Sequence, residues 1–174
     1  MDIEALRSLV RDVPDFPEPG IVFKDITPVL ADPAALIGLI DATVAPFADA
    51  GVTKVAGIEA RGFILASPAA TRLGAGFVPL RKPGKLPWTV VREEYSLEYG
   101  TDALEIHQDA VTPEDRVLVV DDVIATGGTA RAAVRLLDKL GANVVGVSVF
   151  VELAFLAGKE QLDGVPLHAL VVYD

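Results

Sequence analysis

The run Val117-Leu118-Val119-Val120-Asp121-Asp122-Val123-Ile124-Ala125-Thr126-Gly127-Gly128-Thr129-Ala130 constrains the fold of this chain more than any other stretch. Four aliphatic residues in succession leave no polar face, which suits a strand over 116–120 buried on both sides, as at the centre of a parallel sheet. Two carboxylates follow at its carboxyl end, where open α/β sheets bind ligands. A small-residue turn then leads into an amphipathic helix over 129–140, closed by Gly141.

The rest of the chain repeats the alternation. Strands are expected over 54–58, 77–80, 102–107, 144–151 and 167–173, with a helix over 62–73. Their order predicts an α/β fold, a central mostly parallel sheet flanked by helices and joined by right-handed crossovers. Ahead of it, Ile3, Leu6, Leu9 and Val10 recur at helical spacing. Residues 13–27, broken by Pro14, Pro17, Pro19 and Gly20, read as an irregular covering loop with one short apolar run at Ile21-Val22-Phe23. Asp32 and Pro33 open a second helix that fades near Pro46. Between 81 and 101, Pro83, Gly84, Pro87 and Gly100 interrupt a long excursion of hairpin character, and such excursions usually carry function. No linker or repeat divides the 174 residues, so 1–174 is expected to be a single domain.

Composition narrows the classes of partner. A net charge of -10 and the lack of a basic stripe argue against nucleic acid. The absence of cysteine removes disulfides and thiolate metal sites and fits a reducing compartment. The start, Met1-Asp2-Ile3-Glu4, shows no basic region leading into an apolar stretch, and no apolar run reaches the ~20 residues of a membrane helix. A cytoplasmic protein without membrane or nucleic-acid partners is expected.

Chemistry concentrates at 121–129. Adjacent carboxylates accept hydrogen bonds from vicinal ribose hydroxyls and orient magnesium-bound waters. The turn Thr126-Gly127-Gly128-Thr129 opens a helix, where free N–H groups and the helix dipole favour an anion and the threonine hydroxyls add donors. Together they read as a sugar-phosphate cradle. The loop lacks the Gly-Lys-Ser/Thr ending of a nucleotide-binding P-loop and the spaced glycines of a dinucleotide fingerprint. Arg61 follows a strand and offers bidentate contacts to phosphate. Arg81, Lys82 and Lys85 form a cationic knot in an acidic protein. Glu93, Glu94, Glu98 and Glu105 are chemically equivalent candidates for proton transfer, while His107 and His168 have no evident partner and read as structural.

The string from Val117 to Ala130 resembles the phosphoribosyl pyrophosphate signature of type I phosphoribosyltransferases. Asp15-Phe16-Pro17-Glu18-Pro19-Gly20-Ile21-Val22-Phe23-Lys24-Asp25-Ile26-Thr27, Glu59-Ala60-Arg61-Gly62-Phe63, Arg81-Lys82-Pro83-Gly84-Lys85-Leu86-Pro87 and Tyr95-Ser96-Leu97-Glu98-Tyr99-Gly100 resemble its adenine-using branch, over nearly the whole chain. The resemblance implies a central sheet with an N-terminal hood and a flexible catalytic loop. It also implies transfer of the 5-phosphoribosyl group from 5-phosphoribosyl 1-pyrophosphate to adenine, giving AMP and pyrophosphate, with Mg2+ as cofactor and a homodimer as the assembly.

Carried onto this chain, Asp121 and Asp122 would hold the ribose hydroxyls, with magnesium reaching them through substrate and water. Ala125, Thr126, Gly127, Gly128 and Thr129 would hold the 5-phosphate, and Arg61, Arg81, Lys82 and Lys85 the pyrophosphate. Val22, Phe23, Lys24 and Val123 would bind adenine, and Glu98 would act as the acid/base residue. Many family members have Arg where this chain has Lys24, so a backbone role carries over there and a side-chain role does not. A cis peptide at Glu59–Ala60 is also implied. A phosphoribosyltransferase for hypoxanthine or xanthine is the near alternative. A non-catalytic sensor of phosphoribosyl pyrophosphate is a more distant one, since the single short helix before Val13 supplies no DNA-binding output module.

Overall fold

A computed structural model describes residues 1–96 and 101–174. They form two compact units, Met1–Ala42 and Thr43–Asp174. In the first, helix α1 (Ile3–Ser8) is capped by Asp2, whose carboxylate accepts the Ala5 N–H at 2.8 Å. Strands β1 (Arg11–Pro14) and β2 (Val22–Asp25) then pair antiparallel, from Arg11 opposite Asp25 to Pro14 opposite Val22.

The irregular loop expected over 13–27 is therefore mostly a hairpin. Its prolines do not prevent pairing because Pro17 and Pro19 fall in the connection and Pro14 ends its strand. Asp25 accepts both the N–H and the hydroxyl of Thr27 at 2.9 Å, opening a short helix α2 (Thr27–Ala31) that hydrophobic spacing does not reveal. Helix α3 (Pro33–Val44) begins as expected, with the Ala35 N–H donated to Asp32 at 2.8 Å.

The second unit is built on a five-stranded parallel sheet. Its strands are β3 (Lys54–Ile58), β4 (Gly76–Leu80), β7 (Arg116–Ile124), β8 (Asn143–Leu153) and β9 (Leu167–Tyr173), in the order β4-β3-β7-β8-β9. Helix α4 (Arg61–Leu73) crosses from β3 to β4, and α5 (Gly128–Lys139) crosses from β7 to β8. The two crossovers run in opposite directions along the sheet, so right-handedness puts the helices on opposite faces.

The side chains agree with that arrangement. Ala56, Ile58, Val117 and Val119 share one apolar cluster with Ala133, Leu136 and Leu137 of α5. Gly57, facing the other way, lies against Ala66 of α4. Val117, Leu118, Val119 and Val120 are all fully buried, which is why the run has no polar alternation.

The differences from the expected boundaries that matter most are at β7 and in the long excursion. Strand β7 continues past the acidic pair to Ile124, because β8 extends beside it and pairs Asp121 with Val149, Val123 with Val151 and Ile124 with Glu152. The long excursion resolves into β5 (Val90–Ser96), which pairs antiparallel with β6 (Thr101–His107), the expected hairpin. Hydrogen bonds from Arg81 N–H to Glu105 O (3.0 Å) and from Glu105 N–H to Arg81 O (2.7 Å) fasten β6 just beyond β4. Among the described residues, no helix is long and apolar enough to cross a membrane.

Candidate active site at the carboxyl ends of β3 and β7

Strands β3 and β7 are neighbours, paired from Lys54 opposite Val117 to Gly57 opposite Val120. Their chains leave in opposite directions, which opens a crevice at their carboxyl ends, the usual ligand position in such sheets. A cleft of about 360 Å3 lies there, lined by Arg61, Lys82, Asp121, Asp122, Val123 and the whole of Ala125 to Thr129, with Glu59 beside them.

The turn after β3 supplies the first wall. The Glu59–Ala60 peptide is cis, as the resemblance implies. Arg61 then begins α4 and donates from Nε to the Asp122 carboxylate, whose side chain is only 8% exposed. Gly62 brings the helix onto β7, since a Cβ there would lie 2.8 Å from Asp121 Oδ1 and 3.0 Å from Val120 O. The close approach sets Arg61 beside the acidic pair.

Opposite it, Gly127 takes a left-handed φ of +82° and serves as the N-cap of α5, with no side-chain hydrogen bond capping the helix. Its first-turn N–H groups are therefore offered to the cleft, as a phosphate site requires. The Asp122 N–H donates to Asp121 Oδ1 at 2.9 Å. Burial and the neighbouring Asp122 charge push the Asp121 carboxyl well above the usual range, against the opposing pull of Arg61.

Glu59 organises the cationic knot. Its carboxylate accepts from Lys85 Nζ (2.6 Å), from Arg81 Nη2 (3.2 Å) and Nε (3.3 Å), and from the Lys82 N–H (2.9 Å). Burial would raise its pKa, but the bonds from Lys85, Arg81 and Lys82 outweigh that and hold it at about 2. Lys82 itself bonds to Asp102 and to the Tyr95 hydroxyl (2.6 Å). Desolvation opposes its charge, and these two partners still raise its pKa. Arg81 and Lys85 thus touch the cleft through Glu59, whereas Lys82 lines it directly.

Sequence reasoning did not single out Glu59, Asp102 or Tyr95. Glu59 carries a readable signal, being a carboxylate at the end of a buried strand two residues before Arg61. Tyr95 opens one of the family-like motifs but with no role attached, and Asp102 carries no signal, since only the hairpin register brings them to Lys82.

Of the four glutamates equivalent in sequence, the three among the described residues have different partners. Glu93 pairs with Lys139 (2.5 Å) and Arg135 (3.5 Å), and Glu94 pairs with Arg92 (3.0 Å). Glu105, 7% exposed, accepts the Gly84 N–H at 2.9 Å. Glu98 lies outside the described residues. Val22, Phe23 and Lys24 belong to the first unit, where Phe23 packs edge-on against Phe16 and Lys24 pairs with Asp12 at 2.7 Å. His168 packs edge-on against Phe47.

Residues 24–164 match the family model of the phosphoribosyl transferase domain. Adenine phosphoribosyltransferase of Thermobifida fusca is 60% identical over 161 residues, covering 92% of each chain. The crystal structure of adenine phosphoribosyltransferase from Rhodothermus marinus superposes with a TM-score of 0.94 at 53% identity, covering 98% of both chains. The Saccharomyces cerevisiae enzyme, complexed with adenine and an imino-altritol bisphosphate, has a TM-score of 0.93 at 38% identity over 97% of both.

The Glu59 network yields a pH prediction. A carboxylate with a folded pKa near 2, below its ordinary 4.5, stabilises the fold fully above the ordinary value, and that contribution fades as pH falls through about 2. Glu59→Gln should therefore lower the urea midpoint at pH 7, and its gap to the parent should close between pH 4.5 and 2. A gap constant across that range would show that the carboxylate charge does not hold the knot together.

Proposed function

This chain belongs to the adenine phosphoribosyltransferase family, and we propose from that premise how its residues divide the work. The reaction transfers the 5-phosphoribosyl group of 5-phosphoribosyl 1-pyrophosphate to adenine, releasing AMP and pyrophosphate. The observation that carries the assignment of roles is the single cleft joining Arg61 and Lys82 to the acidic pair and the glycine-rich turn.

The backbone N–H groups of Ala125, Thr126, Gly127, Gly128 and Thr129 hold the 5-phosphate at the amino end of α5. Asp121 and Asp122 accept hydrogen bonds from the ribose hydroxyls and so fix the sugar between the two phosphate sites. As the bond from the ribose carbon to pyrophosphate lengthens, positive charge develops on the sugar and negative charge on the leaving group. Arg61 and Lys82, with Arg81 and Lys85 drawn in by Glu59, stabilise that leaving group. Val123, Val22, Phe23 and Lys24 hold adenine, Lys24 through its backbone.

Glu98 manages the proton on the imidazole portion of adenine. The pairing of Glu93, Glu94 and Glu105 with other groups supports that choice among the four glutamates. The donor set fits magnesium, which favours one or two carboxylates plus substrate phosphates and water, and Asp121 and Asp122 would orient its waters. The ion would neutralise part of the pyrophosphate charge. We further propose that residues 1–174 act as one functional domain, in a cytoplasmic homodimer without nucleic-acid or membrane partners. The net charge of -10 supports the exclusion of nucleic acid.

A panel of adenine, hypoxanthine, guanine and xanthine, followed by pyrophosphate release with magnesium present, should single out adenine. Preference for another base would overturn the specificity. Replacing Asp121 and Asp122 together with Asn should abolish activity while moving Tm little, because relief of carboxylate repulsion offsets the lost Arg61 pair. Retention of activity within a few-fold would make the pair structural. Glu98→Gln should lower kcat by on the order of 10²-fold with a smaller effect on KM. Glu94→Gln is the control four residues earlier in the chain, and equal losses in both would assign the effect to the charge of the segment instead of one carboxyl group.

A further inference from the structure

We propose that Gly158 is a positioning residue for the 5-phosphate loop, a backstop that fixes the direction of its N–H groups; this rests on the reading of 125–129 as the phosphate holder. The two backbones touch without a side chain between them. A Cβ on Gly127 would overlap the Gly158 carbonyl oxygen and lie 2.9 Å from its carbonyl carbon and 3.0 Å from Gln161 Cβ. Reciprocally, a Cβ on Gly158 would overlap the Ala125 carbonyl oxygen and lie 2.9 Å from the Gly127 nitrogen. Gly158 is buried and does not line the cleft, so it supports the loop from the side away from the ligand.

The backstop is itself anchored at the carboxyl end of its turn. Gly158 opens the 3-10 turn Gly158–Leu162, and Leu162 is 1% exposed within the same apolar cluster as α5. Arg131, on the first turn of α5, donates from Nη1 to Gln161 Oε1 at 3.1 Å, and its Nε lies 3.9 Å from the Asp163 carboxylate. A polar clip thus ties this turn to the helix whose N–H groups hold the phosphate. A cradle made of backbone donors has no rotamers with which to adjust, so a small displacement of its path degrades every contact together. The pyrophosphate side, built on Glu59 and Arg61, has no contact with Gly158 of this kind and should be spared.

Gly158→Ala in the full chain is the test, with dissociation constants for ribose 5-phosphate and for magnesium pyrophosphate measured by calorimetry. Ribose 5-phosphate should weaken by on the order of 10-fold and pyrophosphate by less than about twofold, with KM for phosphoribosyl pyrophosphate rising more than kcat falls. Gly146→Ala is the control for crowding alone, since a Cβ there would meet Phe47 Cε1 at 2.6 Å, away from the loop. It should lower Tm and leave the ratio of the two affinities unchanged.

If Gly158→Ala does not fold, Gln161→Ala, which cuts only the clip, should weaken ribose 5-phosphate alone by roughly two- to fivefold. Equal weakening of both ligands, or of neither, in whichever variant is soluble would overturn the proposal. A parent chain that binds pyrophosphate but no ribose 5-phosphate would overturn the phosphate reading of the loop and the backstop with it.

Discussion

Every part of the site depends on β3 and β7 lying side by side and parallel while their helices leave to opposite faces. The pairing from Lys54 opposite Val117 to Gly57 opposite Val120 brings the end of β3 level with Asp121, shortly before β7 ends at Ile124. Whatever follows those ends must diverge, and the space between is floored by backbone and walled by two helix starts. One wall brings a guanidinium, and the other brings unsatisfied N–H groups. Both kinds of group suit anions, and they stand together in a chain whose net charge is -10.

The charges at that crevice are arranged before any ligand arrives. Glu59 gathers Arg81, Lys85 and the Lys82 N–H, while Asp102 and Tyr95 hold the Lys82 ammonium and Asp122 holds Arg61. Like-charged cations crowded together would repel one another, and a shared carboxylate offsets that repulsion. Preorganised donors need little rearrangement as charge develops on a leaving group. The acidic pair is poised in the opposite sense. Asp121 and Asp122 are adjacent and recessed, so the Asp121 carboxyl is raised until a partner relieves it.

Much of this was legible in the residues, and the gaps have physical causes. Val117 to Val120 announced a doubly buried strand because no polar residue interrupts it. Its expected end at Val120 falls short of Ile124, since a strand continues wherever its neighbour supplies a ladder, and β8 supplies one as far as Glu152 opposite Ile124. The hairpin over Arg11 to Asp25 is hidden by prolines that sit at the end of its first strand and in its connection. The four glutamates were equivalent in sequence because a carboxylate's role is set by its partners. Lys139, Arg135 and the Gly84 N–H are distant in the chain from the glutamates they meet, and Arg92 stands two residues from Glu94 along β5.

By itself the sequence determined most elements of the central sheet, the acidic pair, the small-residue turn that opens α5 and the cations available, since these follow from hydrophobic period and local chemistry. Strand order, and with it the meeting of residues 59–61 with 121–129, was decided only in the tertiary structure. So were the gathering of Arg81 and Lys85 by Glu59 and the contact of Gly127 with Gly158. The physical reason is that parallel neighbours are joined by long crossovers. The hydrogen bonds that select one neighbour over another depend on packing against both faces of the sheet, and no local window of residues contains that information.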